Sequence, residues 1–347
     1  MPAYHQALLK EMTRFVPQSR LIRSIYFGGG TPSVFPAERL AAILAYLKQH
    51  FAAAADAEIT VEVNPGTVGI EDLILLRNAG FNRLSIGLQA VQNRILAAIG
   101  RIHTWEQFLE VYELSRECGF ANVGVDLIAG LPEQTLDDWA ESLRRVIALQ
   151  PEHLSVYALQ LEEGTPLEAL VRRGKLQLPA DDDVARMLLE AMNSLRQHGF
   201  DHYEVANYAR PGFFSRHNFG YWTGRDYLGF GAGASSTCYG ERWTNVKEPE
   251  RYIALLEAGS SVIGEREILD DAQRQTEAVM LGLRLRAGLD LQAFNAFFHQ
   301  DLLAKAGAAI ERLAEAGLLV CDQNRLALTD AGVLVSNQVL ADILRYL

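Results

Sequence analysis

Three successive glycines, Gly28–Gly30, follow the strand-forming run Ile25–Phe27. Glycine has no Cβ, so a ligand can approach the backbone closely here, and a positive φ angle costs little energy. A helix is predicted to begin at Pro36, because proline favours the first turn of a helix. In parallel α/β folds the loop between a strand and the next helix is a common place for ligands to bind. One glycine would be enough for a tight turn without a ligand, so three in a row favour a binding loop.

Polar residues follow later strands in the same way. Glu62 lies inside a predicted strand, Gln89 and Asp126 lie at or near the ends of two more, and Gln160 follows another. Residues at the carboxyl ends of parallel strands share one mouth, so these distant side chains are expected to converge on one site. Each residue alone could be an edge or cap residue. Their repetition on successive strands favours a shared ligand site.

Strands and helices alternate along the first half of the chain. The apolar patterns predict strands at 25–27, 59–63, 83–88, 123–128 and 153–159. They predict helices that include Tyr4–Val16, Leu40–Leu47, Leu73–Leu76, Phe108–Cys118, a helix capped by Asp137 and Asp138 that runs through Ile147, and one from Asp181 to Gly199. This order predicts an α/β protein with a parallel sheet and crossover helices, either open or curled into a barrel.

Composition excludes several classes of protein. The 347 residues carry a net charge of −11, which argues against a general affinity for nucleic acid or anionic membranes. No run approaches the ~18 apolar residues of a membrane span, so no stable membrane insertion is expected. The three cysteines, Cys118, Cys238 and Cys321, are far apart and odd in number. This pattern fits reduced thiols in a cytoplasmic protein.

A second group of chemically useful residues lies in the segment 216–222. His217 offers an imidazole for iron, Tyr221 and Trp222 offer flat surfaces for a macrocycle, and Arg216 could pair with a propionate. A ferric heme needs an axial ligand, apolar walls and cationic partners, and this segment supplies all three. The alternative interpretation is a buried structural histidine bonded to the backbone, with Trp222 in the core.

The last part of the sequence predicts a second, mainly helical domain. Helices are expected at Thr276–Leu285, Asp290–Phe298 and Leu303–Ala316, followed by a hairpin around Arg325–Thr329. This order resembles a winged helix, but residues 266–347 carry 8 Lys and Arg against 11 Asp and Glu, so 8 − 11 = −3. A DNA reader would present a basic face, so nucleic acid is not the predicted partner.

The segment Gly229–Ala234 fits the pattern GxGxxA of dinucleotide-binding loops. It lacks the strand before it and the helix after it that such a site needs. A loop that closes a ligand pocket is the preferred interpretation.

Four motifs resemble one known family. The segments 27–33 (FGGGTPS), 62–66 (EVNPG), 84–89 (LSIGLQ) and 125–132 (VDLIAGLP) are similar to successive strand-end motifs of the oxygen-independent coproporphyrinogen III oxidase-like branch of the radical S-adenosylmethionine (SAM) superfamily. Within that branch, His217–Trp222 resembles the HNxxYW signature of the HemW-type heme chaperones. The resemblance covers nearly the whole chain.

The resemblance implies an architecture and a set of binding residues. It implies a partial parallel (β/α) barrel over 1–220 that lacks its first strand, a glycine-rich connecting segment over 221–264, and a small HemN-type, winged-helix-like C-terminal domain over 265–347. It assigns SAM to Gly29, Gly30, Thr31, Glu62, Gln89, Arg101, Asp126 and Ala158. It assigns heme to His217, Asn218, Tyr221 and Trp222, with His217 as the ligand of the heme iron.

The family also binds a [4Fe–4S] cluster through a CxxxCxxC loop after its first strand, and this sequence contains no such loop. The chain as written is therefore not expected to perform radical chemistry or to bind SAM tightly. Either the start codon is misplaced, which is the preferred interpretation, or the protein is a truncated relative.

The implied function is a chaperone that passes heme to apo-proteins. The alternatives are a coproporphyrinogen III oxidase of porphyrin biosynthesis and a remnant without a cluster that binds small molecules. The sequence leaves a homodimer open.

Overall fold

The computed structural model describes residues 2–15 and 21–347. Its central feature is a seven-stranded sheet that curls into a half-barrel, with the strand order β1-β2-β3-β4-β5-β7-β6. The strands are β1 (Ile22–Phe27), β2 (Ala53–Val63), β3 (Arg83–Gln89), β4 (Val123–Ala129), β5 (His153–Ala158), β6 (Asp201–His202) and β7 (Asn207–Ala209). Neighbours from β1 to β5 are parallel, and β7 runs antiparallel to both β5 and β6. The predicted parallel half-barrel is confirmed.

Helices accompany this sheet, most of them on one face, and the last of them lies on the inner face of the half-barrel. They are α1 (Pro2–Thr13), α2 (Ala37–His50), α3 (Ile70–Ala79), α4 (Asn93–Ala98), α5 (Trp105–Glu117), α6 (Leu136–Ala148), α7 (Pro166–Arg172), α8 (Asp181–Gln197) and α9 (Arg216–Trp222). A short 3₁₀ helix, Pro32–Val34, follows the glycine loop. Residue Val16, where the predicted first helix ends, lies outside the described residues.

Alternation along the strands gives the sheet two different faces. In β2 the residues Ile59, Val61 and Val63 are buried in the main hydrophobic core with residues of α2 and α3. The intervening Thr60 and Glu62 point to the opposite face, because successive side chains of a strand alternate. The helix-covered face is therefore apolar, and the inner face of the half-barrel is polar.

Several boundaries differ from the sequence prediction, and two of the differences have a clear local cause. Strand β2 begins at Ala53 rather than Ile59, because Ile22 of β1 pairs with Ala53 and extends the ladder beyond the β-branched residues. Helix α6 begins after Thr135, whose hydroxyl accepts a bond from the Asp138 backbone N–H at 3.2 Å. Asp138 reciprocates from the third helical position, which makes a capping box, so it supports the cap rather than being the cap.

The chain then forms a second sheet. Its strands are β8 (Ser235–Cys238), β9 (Glu241–Asn245) and β10 (Ile263–Ile268), in the order β10-β9-β8, with α10 (Pro249–Glu257) between β9 and β10. The buried carboxylate of Glu11 in α1 joins this unit to the rest of the molecule. It accepts bonds from Tyr252 Oη at 2.6 Å, Asn245 Nδ2 at 2.6 Å and the Gly231 backbone N–H at 2.8 Å.

The C-terminal region is mainly helical, as predicted. It consists of α11 (Asp271–Gly282), β11 (Leu289–Asp290), α12 (Leu291–Phe298), α13 (Leu302–Glu315), β12 (Leu319–Cys321), β13 (Arg325–Leu328), α14 (Asp330–Leu334) and α15 (Ser336–Leu344). The expected hairpin is formed by β12 and β13, and β11 pairs with β13 as a third strand.

Candidate functional site

Glu62 lies at the mouth of the half-barrel beside the glycine loop. Tyr26 Oη donates a 2.8 Å hydrogen bond to Glu62 Oε1, and the Gly29 backbone N–H also bonds to this carboxylate. Burial raises the pKa of Glu62, and both hydrogen bonds oppose that rise. The loop brings backbone next to an acid because no side chain stands between them.

The glycine loop is open to a ligand. Gly29 and Gly30 have φ angles of 81° and 138°, which few other residues adopt. A Cβ built on either would meet no atom within 4 Å. The space beside this backbone is therefore free, as the three glycines predicted.

A chain of hydrogen bonds continues from the loop across the mouth. Asn64 Nδ2 donates to Thr31 Oγ1 at 3.1 Å, and Arg101 Nη1 donates to Asn64 Oδ1 at 3.0 Å. The structure therefore brings Thr31 and Arg101 to one side of the mouth through Asn64. Desolvation lowers the pKa of Arg101, and the charge of Asp126 opposes this effect.

Gln89 completes the same cluster from the end of β3. Its φ angle is 74°, and its side chain folds back over Gly87. A Cβ at Gly87 would lie 3.0 Å from both Gln89 Nε2 and Asn64 Oδ1. The missing side chain of Gly87 thus leaves room for both amides.

Asp126 lies deeper on the inner face of the sheet. Ser85 Oγ donates to its carboxylate at 3.3 Å, and Ser155 on β5 also bonds to it. Burial raises the pKa of Asp126, while the two serines and the positive charge of Arg83 oppose the rise. In the strand register Asp126 pairs with Gly87, which places it next to the amide cluster.

Ala158 is the last residue of β5 and pairs with Ala129 at the end of β4. It lies at the same end of the sheet as the other predicted SAM residues. All eight predicted residues therefore belong to one end of the half-barrel. Contacts described above link six of them, through Tyr26, Asn64 and the space at Gly87 or through the charge of Asp126: Gly29, Thr31, Glu62, Gln89, Arg101 and Asp126.

The segment that carries the heme prediction also enters the half-barrel. Helix α9 begins over Glu58 of β2, whose carboxylate accepts the backbone N–H groups of Arg216 at 3.0 Å and His217 at 3.1 Å. Ser215 caps the helix through a 3.3 Å bond from the Asn218 N–H. A negative charge at a helix N-terminus is stabilising, so Glu58 fixes α9 against the sheet.

The imidazole of His217 contacts protein on several sides. Its Nδ1 lies 3.1 Å from Ser24 Oγ, its Nε2 lies 2.9 Å from Tyr221 Oη, and its ring stacks on Tyr26 with 4.8 Å between centroids. Burial, with a smaller contribution from the charge of Arg83, lowers the pKa of His217 to about 4. The ring is therefore neutral at pH 7, which is the form that ligates metals.

Tyr221 and Trp222, the two aromatic residues predicted to contact heme, are partly accessible. The Tyr221 side chain is 37 % exposed and packs edge-on against Tyr227 at 4.6 Å. Trp222 is half-buried, and its Nε1 is enclosed without a hydrogen-bond partner. The partners of His217 are side chains, whereas the structural alternative expected backbone groups.

Sequence reasoning missed three residues that build the site. The sequence predicts Tyr26 only as part of a strand, Asn64 only as part of the motif 62–66, and Arg83 only as the start of a strand. Arg83 is 1 % exposed, and its Nε and Nη1 have no hydrogen-bond partner. The available signal was their position: Tyr26 and Arg83 are in register with the inward-facing residues, and Asn64 directly follows a strand.

The glycine-rich segment 229–234 is anchored to α1. The Gly231 N–H donates to Glu11 and the Ala232 N–H donates to Tyr4 Oη at 3.0 Å. A dinucleotide phosphate would need these backbone N–H groups, but they already donate to Glu11 and Tyr4. The segment is therefore not arranged as a dinucleotide-binding loop.

The three cysteines lie on separate elements, at the end of α5, in β8 and in β12. Within the described ranges, His, Cys, Asp and Glu side chains form no group of three suited to hold a metal ion. Across those same ranges, no helix combines the length and apolar character needed to cross a bilayer.

Comparison with known proteins identifies the superfamily of the fold. Residues 5–146 match the radical SAM superfamily and residues 269–335 match the HemN C-terminal domain. The coproporphyrinogen III oxidase HemN of Escherichia coli, described as a radical SAM enzyme, superposes with a TM-score of 0.86 at 26% identity, over 99% of this chain and 83% of that one. The fold is that of a radical SAM half-barrel with a HemN-type C-terminal region.

Proteins of similar sequence identify the family within this superfamily. The heme chaperone HemW of Lactococcus lactis is 34% identical over 97% of this chain and 88% of its own length. HemW of Mycobacterium tuberculosis is 38% identical over 93% of this chain and 81% of its own length. This chain belongs to the HemW family of heme chaperones.

Proposed function

We propose that this protein binds heme and delivers it to apo-proteins in the cytoplasm, with SAM bound at the mouth of the half-barrel. The relatives named heme chaperones support the first part, and membership of the radical SAM superfamily supports the second. One observation carries the proposal: His217 stacks on Tyr26, and Tyr26 donates to Glu62. The predicted heme segment and the predicted SAM site therefore meet at a single tyrosine.

The residues at the mouth fit SAM. The open backbone at Gly29 and Gly30 can accept the amino group, and Glu62 can accept bonds from the ribose hydroxyls. Arg101 can pair with the carboxylate, and Asp126 adds negative charge toward the sulfonium. Thr31, Gln89 and Ala158 complete the rim.

SAM supplies radical chemistry in this superfamily when a reduced iron–sulfur cluster is present. The described residues offer no grouped thiols for such a cluster, so no catalytic step is assigned to these side chains. The residues at the mouth bind and orient SAM, and Tyr26 covers His217 and keeps its imidazole neutral.

The heme proposal is tested by titrating the protein with hemin and following the Soret band. We expect a Soret shift in the wild type and its loss in His217→Ala, while His50→Ala, which removes an exposed histidine from α2, keeps the shift. In Tyr221→Phe the flat ring remains but the bond to Nε2 is lost, so hemin should bind as well or more tightly. Absence of a Soret shift in the wild type would contradict the proposal. Loss of the shift in Tyr221→Phe to the same extent as in His217→Ala would show that His217 Nε2 is not the iron ligand.

The structural likeness to HemN keeps an oxidase activity as the second candidate. Formation of protoporphyrinogen from coproporphyrinogen by an anaerobically reconstituted sample, with SAM and reductant, would favour that candidate. No product under conditions where hemin still binds would favour the chaperone.

A further inference from the structure

A separate groove lies at the start of α9, on the edge of the half-barrel. Its volume is about 310 Å³, which is near the lower end of the roughly 300–1,000 Å³ typical of small-molecule sites. It is lined by Arg23, Asp56, Phe214, Arg216, Phe219 and Arg225. None of these residues belongs to the SAM site.

The groove is positively charged in an otherwise acidic protein. Three arginines face one aspartate, whereas the whole chain carries a net charge of −11. Arg216 Nη1 pairs with Asp56 at 2.8 Å. Arg23 and Arg225 are exposed, and the charge of Arg23 also acts on Asp56, although the close ion pair of Asp56 is with Arg216. The guanidinium groups of Arg23 and Arg225 can therefore both turn toward an anion in the groove.

The walls of the groove are aromatic and held in place. Phe214 stacks on Tyr203 with 4.3 Å between ring centroids and 14° between planes. Tyr203 is buried and its hydroxyl lies 2.8 Å from His153 Nε2. Phe219 extends from α9, so the groove has two half-buried rings beside Arg23 and Arg225.

A ligand that suits this lining is flat, apolar and edged by carboxylates. Guanidinium groups bind carboxylates by charge-assisted hydrogen bonds, and they do so in pairs when geometry allows. The groove is too small for a complete porphyrin, so it suits the carboxylate edge with the macrocycle extending outside. Resting on the proposed function, we propose that Arg23 and Arg225 bind the two propionates of heme between Phe214 and Phe219.

The same helix then contributes to both halves of the heme site. Arg216 and Phe219 face the groove, while His217 and Tyr221 face the inner side of the sheet. Arg225 packs against α9 at Gly220, because its Cδ lies at van der Waals distance, 3.6 Å, from the position of a Cβ on that glycine.

The test compares hemin with hemin dimethyl ester, in which both carboxylates are blocked. Binding of each is measured by tryptophan fluorescence quenching for the wild type, Arg23→Gln/Arg225→Gln and Arg23→Lys/Arg225→Lys. Arg144→Gln, at an exposed position of α6, is the control. Circular dichroism checks that every variant is folded. We expect the Gln pair to weaken hemin binding roughly tenfold or more, with the ester unchanged, and the Lys pair to recover part of the loss.

The outcomes separate this inference from the proposed function. If the wild type binds no hemin, the heme proposal itself fails. If the wild type binds hemin and the Gln pair remains within about twofold of it, or loses hemin and ester equally, the propionate assignment is wrong while heme binding stands.

Discussion

At the scale of single residues, His217 combines a neutral ring with two bonded nitrogens. Tyr26 covers one face of the imidazole, Ser24 contacts Nδ1 and Tyr221 contacts Nε2. Any iron bound at Nε2 must displace the Tyr221 hydroxyl. The stack on Tyr26 is thus a means of excluding water and keeping the imidazole deprotonated.

Replacing Tyr26 tests this argument directly. Tyr26→Ala admits water to the imidazole, so the pKa of His217 should rise from about 4 toward the ordinary ~6.5. Tyr26→Phe keeps the ring and loses only the bond to Glu62, so the pKa should stay low. An NMR titration of the histidine ring nitrogens measures both, and equal pKa values in the two variants would show that stacking is not the cause.

At the scale of elements, strand β3 is the centre of the mouth. Gly87 faces Asp126 across the register and leaves room for the amides of Gln89 and Asn64. A strand normally favours a branched or aromatic residue at a buried position. Here a missing side chain is what allows polar groups from β2, β3 and the loop after α4 to meet.

Adding one methyl group at this point should disturb the cluster. Gly87→Ala places a Cβ 3.0 Å from two amide atoms, so we expect a loss of about 1–3 kcal/mol in the free energy of unfolding. Gly307→Ala in α13 meets no atom within 4 Å and should be neutral or stabilising by about 0.5–1 kcal/mol. Urea denaturation compares the two, and equal effects would mean that the gap at Gly87 is not required.

At the scale of the whole molecule, the C-terminal helices are joined to the sheet by apolar and polar contacts. One hydrophobic core includes Leu195 of α8, Tyr208 of β7 and Val279 of α11. The Val205 N–H donates to Arg284 O at 3.0 Å and the Arg286 N–H donates to Tyr203 O at 3.1 Å. The division at 220 and 265 stays a prediction, and the continuous core indicates that the flanking parts stabilise each other.

Glu204 lies in this junction and makes its stability depend on pH. It is 0 % exposed and its Oε2 has no hydrogen-bond partner, so burial raises its pKa from 4.5 to about 7. The folded protein therefore holds a proton that the unfolded chain releases. The contribution of Glu204 to stability is present below pH 4.5 and is lost as the pH rises through 7.

Glu204→Gln removes this dependence. Between pH 5 and pH 8 the stability of the variant relative to the wild type should increase, by an amount on the order of 3 kcal/mol for a shift of this size. Urea denaturation at the two pH values measures the change, with Glu257→Gln on α10 as the control. A constant difference between variant and wild type would show that Glu204 is ionised in the folded protein.

The sequence by itself determined the order of elements and the end of the sheet where the site lies. Alternation places Glu62 and Asp126 on the face opposite the apolar residues, and parallel strands end at a common edge, so local rules were sufficient. The tertiary structure alone decided which groups touch. Tyr26 and His217 are 191 positions apart, and Phe214 is far from Arg23 in sequence, so no local pattern predicts the stack or the groove. These contacts depend on how α9 folds back over β1, which is fixed by the long-range bonds from Arg216 and His217 to Glu58.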